Sequence, residues 1–78
     1  MISSKKELIN ALSQALDTPI DENASTLNVE EWDSLGHLAI LQTLDEATQG
    51  KSSGIPGLAA ALSLNDIYEL LKKHGLVN

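Results

Sequence analysis

The sequence predicts an all-α fold: a small four-helix bundle, made of three main helices and a short third helix, with a long loop between helices 1 and 2. The chain has 78 residues, enough for one domain over residues 1–78 with a core that is marginal for its size. Only Trp32 and Tyr68 are aromatic. The core must therefore consist of Leu, Ile, Val and Ala, a composition that favours helices over a sheet. Apolar residues also recur at helical spacing between segments rich in turn residues.

The first helix is predicted to begin at a capping box. Ser4 and Glu7 have the Ser-x-x-Glu spacing in which a side chain satisfies the unpaired N–H groups of a first turn. Pro19 prevents the helix from continuing far beyond Asp17, because proline lacks an N–H and restricts the residue before it. Between these limits the apolar residues form a stripe at helical spacing: Leu8, Leu12 and Leu16.

The segment from Asp17 to Asp33 shows no clear period and is rich in residues typical of turns. A loop of this length is uncommon in a small domain and is usually either functional or disordered. Four apolar residues are enough to hold it against the core, so we expect an ordered loop with Trp32 as its main packing anchor. These residues are Ile20, Leu27, Val29 and Trp32.

The second helix is predicted to run from about Ser34 to about Thr48. At about 100° per residue, one arc of about half the circumference is apolar and predicts the core face. This face consists of Leu38, Ile40, Leu41, Leu44 and Ala47. The opposite stripe, flanked by Asp45, consists of Leu35, Ala39, Gln42 and Glu46. Leu35 is an apolar residue on this outer stripe. A single exposed leucine is common on protein surfaces and needs no function, but its position beside Ser34 also fits contact with a partner.

Two shorter segments complete the bundle. The stretch from Gly50 to Gly57 is rich in Gly and Ser and predicts a second loop. Residues 57–62 predict a short helix. Ser63 and Asp66 then have capping-box spacing, with Asp in place of Glu, and predict the start of the last helix. Gly75 fits the position just after its end.

Charge and composition exclude several classes of protein. Eleven acidic residues against five basic ones give a net charge of -6, which argues against nucleic-acid binding and favours partners with basic surfaces. The absence of cysteine excludes disulfides and thiolate metal sites. No stretch approaches the roughly 20 apolar residues that cross a bilayer, and no signal-type segment follows residues 1–6. We therefore expect a cytoplasmic monomer.

Ser34 is the candidate functional residue. It lies between Asp33 and Leu35 at the predicted start of helix 2. Backbone N–H groups at a helix start lack partners, and the helix dipole favours negative charge, so a phosphate attached to this serine would be stabilised. The alternative is that Ser34 only caps the helix, a common role for serine. Asp33 could also cap this helix, through its own carboxylate.

The chain resembles the acyl carrier protein family over nearly its whole length. The specific match is Asp33-Ser34-Leu35, supported by the length, acidity, helix order and preceding loop, and by Ile55-Pro56 before the short helix. In that family, a Mg²⁺-dependent phosphopantetheinyl transferase moves 4′-phosphopantetheine from coenzyme A to the serine. The thiol of the arm then carries acyl or aminoacyl groups as thioesters. The resemblance implies that Ser34 is the attachment site and that acyl-loading and processing enzymes are partners.

The chain also departs from the family pattern. Fatty-acid carriers tend to have several carboxylates along helix 2, whereas this helix offers only Asp45 and Glu46. The loop around residues 51–54 is also longer and less acidic. These differences favour a specialised pathway, or polyketide or nonribosomal peptide assembly, over primary fatty-acid synthesis. The residues expected to contact partners are Asp33, Leu35, Ala39, Gln42, Asp45 and Glu46.

Two other interpretations of these residues lack a supporting motif. A serine–histidine nucleophile from Ser34 and His37 lacks an oxyanion-hole motif, so we expect no enzyme activity. A metal site from His37 and His74 lacks ligand spacing, so we expect no metal. The alternative function is an unmodified, small acidic helical module for protein–protein interaction.

Overall fold

The computed structural model describes residues 4–77. Three α-helices lie within this range: α1 (Lys5–Leu16), α2 (Ser34–Ala47) and α3 (Leu64–Lys73). Two 3-10 turns, Lys51–Gly54 and Leu58–Ala60, lie between α2 and α3, and no strand forms in the described range. The all-α prediction is therefore confirmed, whereas the short third helix is reduced to the second 3-10 turn. Residues 1–3, which belong to the segment expected to carry no signal sequence, lie outside the described residues, as does residue 78.

None of the helices in the described part of the chain is long and apolar enough to span a bilayer. The longest, α2, has 14 residues, against the roughly 20 that a spanning helix needs.

Helix α1 begins and ends close to its predicted bounds. The Ser4 hydroxyl accepts a hydrogen bond from the Glu7 N–H at 3.3 Å, so the N-terminal cap is confirmed. The helix ends at Asp17, whose φ of 53° lies in the left-handed region. This reversal lets the N–H of Thr18 donate to the carbonyl of Ser13 at 3.1 Å. The predicted apolar stripe faces the core through buried Leu8, Leu12 and Leu16.

Helix α3 is capped at both ends by the residues that the sequence indicates. The Ser63 hydroxyl accepts a hydrogen bond from the Asp66 N–H at 3.0 Å. At the other end, Gly75 has a φ of 74°, which allows the N–H of Leu76 to donate to the carbonyl of Leu71 at 2.9 Å. This six-residue closure, with glycine in the left-handed region, is a Schellman motif.

The core lies between the three helices. Its fully buried side chains are all aliphatic, and burying each one stabilises the fold by about 1.5–3 kcal/mol. They come from α1, α2 and α3 and are Leu8, Leu12, Ile40, Leu44, Leu64, Ile67 and Leu71. The prediction of an aliphatic core is confirmed.

The long loop between α1 and α2 is held to the segment before α3 by backbone hydrogen bonds. The N–H of Thr26 donates to the carbonyl of Leu62, and the N–H of Leu64 donates to the carbonyl of Ala24, both at 2.9 Å. A single antiparallel bridge forms between them, at Ser25 and Ser63. The loop is therefore ordered, as predicted, but through a long-range pairing that no local pattern indicates.

The apolar residues of this loop differ in their burial. Trp32 is only 2% exposed, so its interpretation as a packing anchor is confirmed. Ile20 and Val29 are half-buried against the core. Leu27 is 96% exposed, and the prediction that it packs on the core is wrong. It occupies the middle of a turn closed by a hydrogen bond from the N–H of Asn28 to the carbonyl of Ser25, and no other element covers this turn.

The segment predicted as a second loop contains the first 3-10 turn, and buried polar groups support this turn. The Thr48 hydroxyl donates to the Leu44 carbonyl at 2.7 Å and accepts from the N–H of Ser52 at 3.0 Å. Both Thr48 and Ser52 are buried. Their hydrogen bonds remove the cost of leaving polar groups unpaired in the interior.

The core face of α2 differs from the prediction at one residue. Ile40 and Leu44 are buried, and Leu41 and Ala47 are half-buried, but Leu38 is 62% exposed. The buried side of α2 is centred on Ile40, Leu44 and the adjoining Thr48, with half-buried His37 at its start. Leu38 follows His37 by one residue, about 100° around the helix, which places it at the rim.

Salt should stabilise this fold. The acidic residues of the long loop are exposed, and with a net charge of -6 they oppose compaction by mutual repulsion. They include Asp21, Glu22, Glu30 and Glu31. Screening weakens repulsion between exposed charges, so we expect the Tm to rise by about 2–5 °C between low salt and about 0.15 M NaCl. Thermal melts followed by circular dichroism measure this shift, and an unchanged Tm would contradict the repulsion argument.

Candidate functional site

The start of α2 is capped by Asp33. Its backbone is extended, and its carboxylate Oδ1 accepts a hydrogen bond from the N–H of Gly36 at 2.9 Å. Its carbonyl accepts the N–H of His37 at 2.8 Å. Asp33 therefore fills the capping position, and the interpretation of Ser34 as the helix cap is wrong. Ser34 is the first residue of the helix proper.

This arrangement leaves the Ser34 hydroxyl available. Ser34 is exposed, and among residues 4–77 no group forms a hydrogen bond with its side chain. The backbone N–H groups of Ser34 and Leu35 also have no acceptor among these residues. Ser34 therefore places an accessible hydroxyl at a helix start that has two N–H groups without an acceptor in the described range and the positive end of the helix dipole.

Gly36 allows the long loop to lie directly against this helix start. A Cβ at position 36 would overlap the carbonyl oxygen of Glu31 and lie 2.9 Å from the Cδ2 of Leu16. The backbone of residue 31 therefore occupies the space that any other side chain would need. This close approach fixes the loop and α1 against the turn that presents Ser34.

An apolar groove of about 570 Å³ opens beside Ser34. One wall is formed by the first two turns of α2, through His37, Leu38 and Leu41. The opposite wall is formed by Ala59, Ala61 and Leu62. Leu38 and Leu62 are both more than 60% exposed, so the rim of the groove is open and apolar. An apolar chain that starts at the Ser34 hydroxyl would have a matching surface next to it.

A chain of hydrogen bonds links both sides of the groove. The indole Nε1–H of Trp32 donates to Nδ1 of His37 at 3.0 Å, and Nε2 of His37 lies 2.9 Å from the carbonyl oxygen of Leu58. Both ring nitrogens of His37 are therefore engaged away from Ser34. In this arrangement His37 is not placed to remove a proton from the serine hydroxyl, as a serine–histidine nucleophile requires.

The predicted partner-contact residues differ in their exposure and in the clefts that they line. Asp33 and Leu35 are exposed on either side of Ser34. Gln42 and Asp45 are also exposed, but they line a separate cleft of about 470 Å³ between α2 and the first 3-10 turn. The other two predicted contact residues differ in burial: Glu46 is exposed, whereas Ala39 is half-buried.

Sequence reasoning missed the far wall of the groove. Thr26, Ala59, Ala61 and Leu62 reach the site because the long loop pairs with the segment before α3. Small apolar residues in a segment rich in alanine carry no pattern that identifies them as a site. The only local indication is that Trp32 and His37 flank the Asp33-Ser34 pair.

No group of three His, Asp or Glu residues that could hold a metal ion occurs in the part of the chain that the structure describes. Comparisons of the chain with protein-family models, with curated proteins and with solved structures find no match. The geometry around Ser34 and the Asp33-Ser34-Leu35 motif are therefore the features that bear on function.

Proposed function

We propose that this chain is a carrier protein whose Ser34 hydroxyl receives 4′-phosphopantetheine from coenzyme A. The observation that carries the proposal is an exposed serine hydroxyl with no hydrogen-bond partner among the described residues, at the first position of α2. A serine kept only for helix capping would use its hydroxyl there, but Asp33 has taken that role. The Asp33-Ser34-Leu35 motif supports the same function by resemblance.

The local electrostatics suit the proposed product. During transfer, Ser34 Oγ bonds to the phosphorus of the phosphopantetheine half of coenzyme A. The bond from that phosphorus to the adenosine bisphosphate half breaks, and the serine proton passes to a base of the transferase. The negative phosphodiester then lies at the helix start, where the N–H groups of Ser34 and Leu35 are free.

The groove suits the rest of the arm. When bound, 4′-phosphopantetheine supplies the thiol that holds acyl or aminoacyl groups as thioesters. Leu38 and Leu62 at the rim of the groove offer an apolar surface next to the attachment point. We propose that the chain shuttles such groups between enzymes of fatty-acid, polyketide or other specialised biosynthesis in the cytoplasm, with the transferase and acyl-processing enzymes as partners.

The proposal includes the fold of the carrier family. We propose that the second 3-10 turn, Leu58–Ala60, stands where carrier proteins have their short third helix. Its Leu58 is 4% exposed and packs into the core, as a helix at this place would. With this turn counted, the order of elements and the long first loop correspond to the four-helix bundle.

The alternative function is an unmodified interaction module. The observation that favours it is that four large apolar side chains are exposed, because proteins use exposed apolar surface to bind partners. They are Leu27, Leu35, Leu38 and Leu62. The two functions differ in whether Ser34 is chemically modified.

Intact mass spectrometry distinguishes the two functions. We expect incubation with coenzyme A, Mg²⁺ and a broad-range phosphopantetheinyl transferase to add one phosphopantetheine per chain. Peptide mapping should place it on the peptide that contains Ser34. No addition with several transferases would favour the interaction module, and an arm on Ser25 or Ser63 would contradict the site.

Leu35 should contribute to docking of the modifying enzymes. It is 76% exposed and adjoins Ser34, so an enzyme that reaches the hydroxyl must approach it. We expect Leu35→Ala to lower the loading efficiency about fivefold, equivalent to about 1 kcal/mol of lost contact. Reversing Asp45 and Glu46 to Lys together should mainly slow association and reduce its salt dependence. Loading rates at low and moderate salt measure both effects.

Matched controls separate docking from general damage. Leu27→Ala removes an even more exposed leucine, on the long loop and outside the groove, and should load like wild type. Glu69→Lys makes a charge reversal on α3 and should have little effect. A loss in these controls as large as that in the α2 variants would show that the modifying enzymes do not dock through Leu35, Asp45 and Glu46.

A further inference from the structure

The bond between Trp32 and His37 selects one tautomer of the imidazole. An indole N–H only donates, so Nδ1 of His37 must be an unprotonated acceptor in this arrangement. The proton of the neutral ring is then on Nε2, which donates to the Leu58 carbonyl. The planes of the two rings are nearly parallel, at 12°, and their centroids lie 6.2 Å apart.

Through this bond, His37 joins three segments around Ser34. Trp32 ends the long loop two residues before the serine, His37 lies in the first turn of α2, and Leu58 begins the second 3-10 turn. Trp32 and Leu58 are almost fully buried, so both ends of the chain of hydrogen bonds are fixed by packing. The helix start therefore has a side-chain connection to the segment across the groove.

We propose that His37 is a positioning residue for the modification of Ser34. This inference rests on the proposed function. The neutral imidazole holds the turn that presents the serine hydroxyl at a fixed orientation to the groove. Its two nitrogens lie in one rigid plane, so one side chain satisfies the buried indole N–H of Trp32 and contacts Leu58 at the same time. Without it, the indole N–H loses its acceptor and the presenting turn gains freedom.

Transferase kinetics test this role. His37→Leu keeps an apolar side chain and removes both hydrogen bonds. We expect kcat/KM for phosphopantetheine transfer to fall about tenfold, with the loss mainly in kcat, because a misplaced reacting atom slows the chemical step. KM for the carrier chain should stay close to wild type, because Leu35 and the exposed surface of α2 remain.

Two conservative variants separate the two hydrogen bonds. His37→Asn keeps an acceptor at the position of Nδ1, which serves Trp32, and loses the donor to Leu58. His37→Gln keeps a donor at the position of Nε2, which serves Leu58. We expect each variant to recover part of the rate that His37→Leu loses. A double-mutant cycle with Trp32→Phe should give strongly non-additive losses, because the two residues act through one bond.

A spectroscopic measurement reports on the bond without any transferase. Trp32 is the only tryptophan, so its indole N–H gives one identifiable NMR resonance. We expect this proton to be protected from exchange in wild type and in His37→Asn, and to exchange faster in His37→Leu. His74→Gln is the matched control, since His74 is exposed after α3 and should leave both the resonance and the rate unchanged.

The outcomes distinguish this inference from the function on which it rests. Wild-type chain that resists modification would overturn both. Wild-type chain that is modified, with His37→Leu equally fast, would overturn the positioning role alone. If His37→Leu fails to fold, His37→Asn and His37→Gln test the positioning role instead. Wild-type transfer rates in both of these variants would also overturn that role.

Discussion

Ser34→Ala should abolish modification of the chain while leaving its fold intact. The substitution removes the hydroxyl at the start of α2, which is exposed and forms no hydrogen bond with the described residues. Asp33 keeps the cap through its bond to Gly36. The free energy of unfolding should therefore change by no more than about 0.5 kcal/mol. Intact mass after the transferase reaction measures the first effect, and thermal melts measure the second.

Two comparisons sharpen this result. Ser53→Ala removes another exposed serine, whose hydroxyl donates to the Gly50 carbonyl at 2.7 Å, and should be modified like wild type. Asp33→Ala removes the cap and should cost about 1 kcal/mol of stability. If Ser34→Ala still accepts phosphopantetheine, the attachment site is wrong. If it instead destabilises the domain as much as Asp33→Ala does, the assignment of the cap is wrong.

Gly36→Ala should strongly destabilise the domain. The added methyl group would overlap the Glu31 carbonyl and press on the Leu16 side chain. The Glu31 carbonyl is part of the backbone, so it can move away only if the loop moves with it. Overpacking of this kind costs about 2–3 kcal/mol, against about 4–12 kcal/mol of total stability for a domain of this size. We expect the Tm to fall by about 10 °C or more.

The chain offers a matched control for this substitution. A Cβ at Gly54 has no heavy atom within 4 Å, and Gly54 does not need a left-handed backbone. Gly54→Ala should therefore leave the Tm close to wild type. Equal Tm values for Gly36→Ala and Gly54→Ala would mean that the loop does not approach α2 as closely as the structure shows. Because the same contact fixes the turn around Ser34, Gly36→Ala should also slow modification of the folded fraction.

Local sequence was sufficient to predict the three α-helices and the caps of α1 and α3. Ser4 and Ser63 cap α1 and α3 as their spacing indicates, and Gly75 ends α3. These features were predictable because a cap depends on hydrogen bonds between residues three or four positions apart. The same reasoning found Ser34 and Asp33 as the residues of interest, but left open which of them caps α2.

The exposed and buried faces were only partly predictable. Helical periodicity identified Ile40 and Leu44 as core residues, yet it also assigned Leu38 to the core. Periodicity gives the width of an apolar face but not what covers each of its edges. The loop residues posed the same difficulty, since Trp32 is buried and Leu27 is exposed although both are large and apolar.

The sequence by itself determined an all-α chain, the bounds of its helices and the exposed position of Leu35. Only the tertiary structure decided that Asp33 takes the cap, that an apolar groove lies beside Ser34, and that His37 connects Trp32 to Leu58. The physical reason is the range of the interactions. Helices and their caps depend on neighbours along the chain, whereas the groove exists because the long loop pairs with residues more than thirty positions away, as Thr26 does with Leu62.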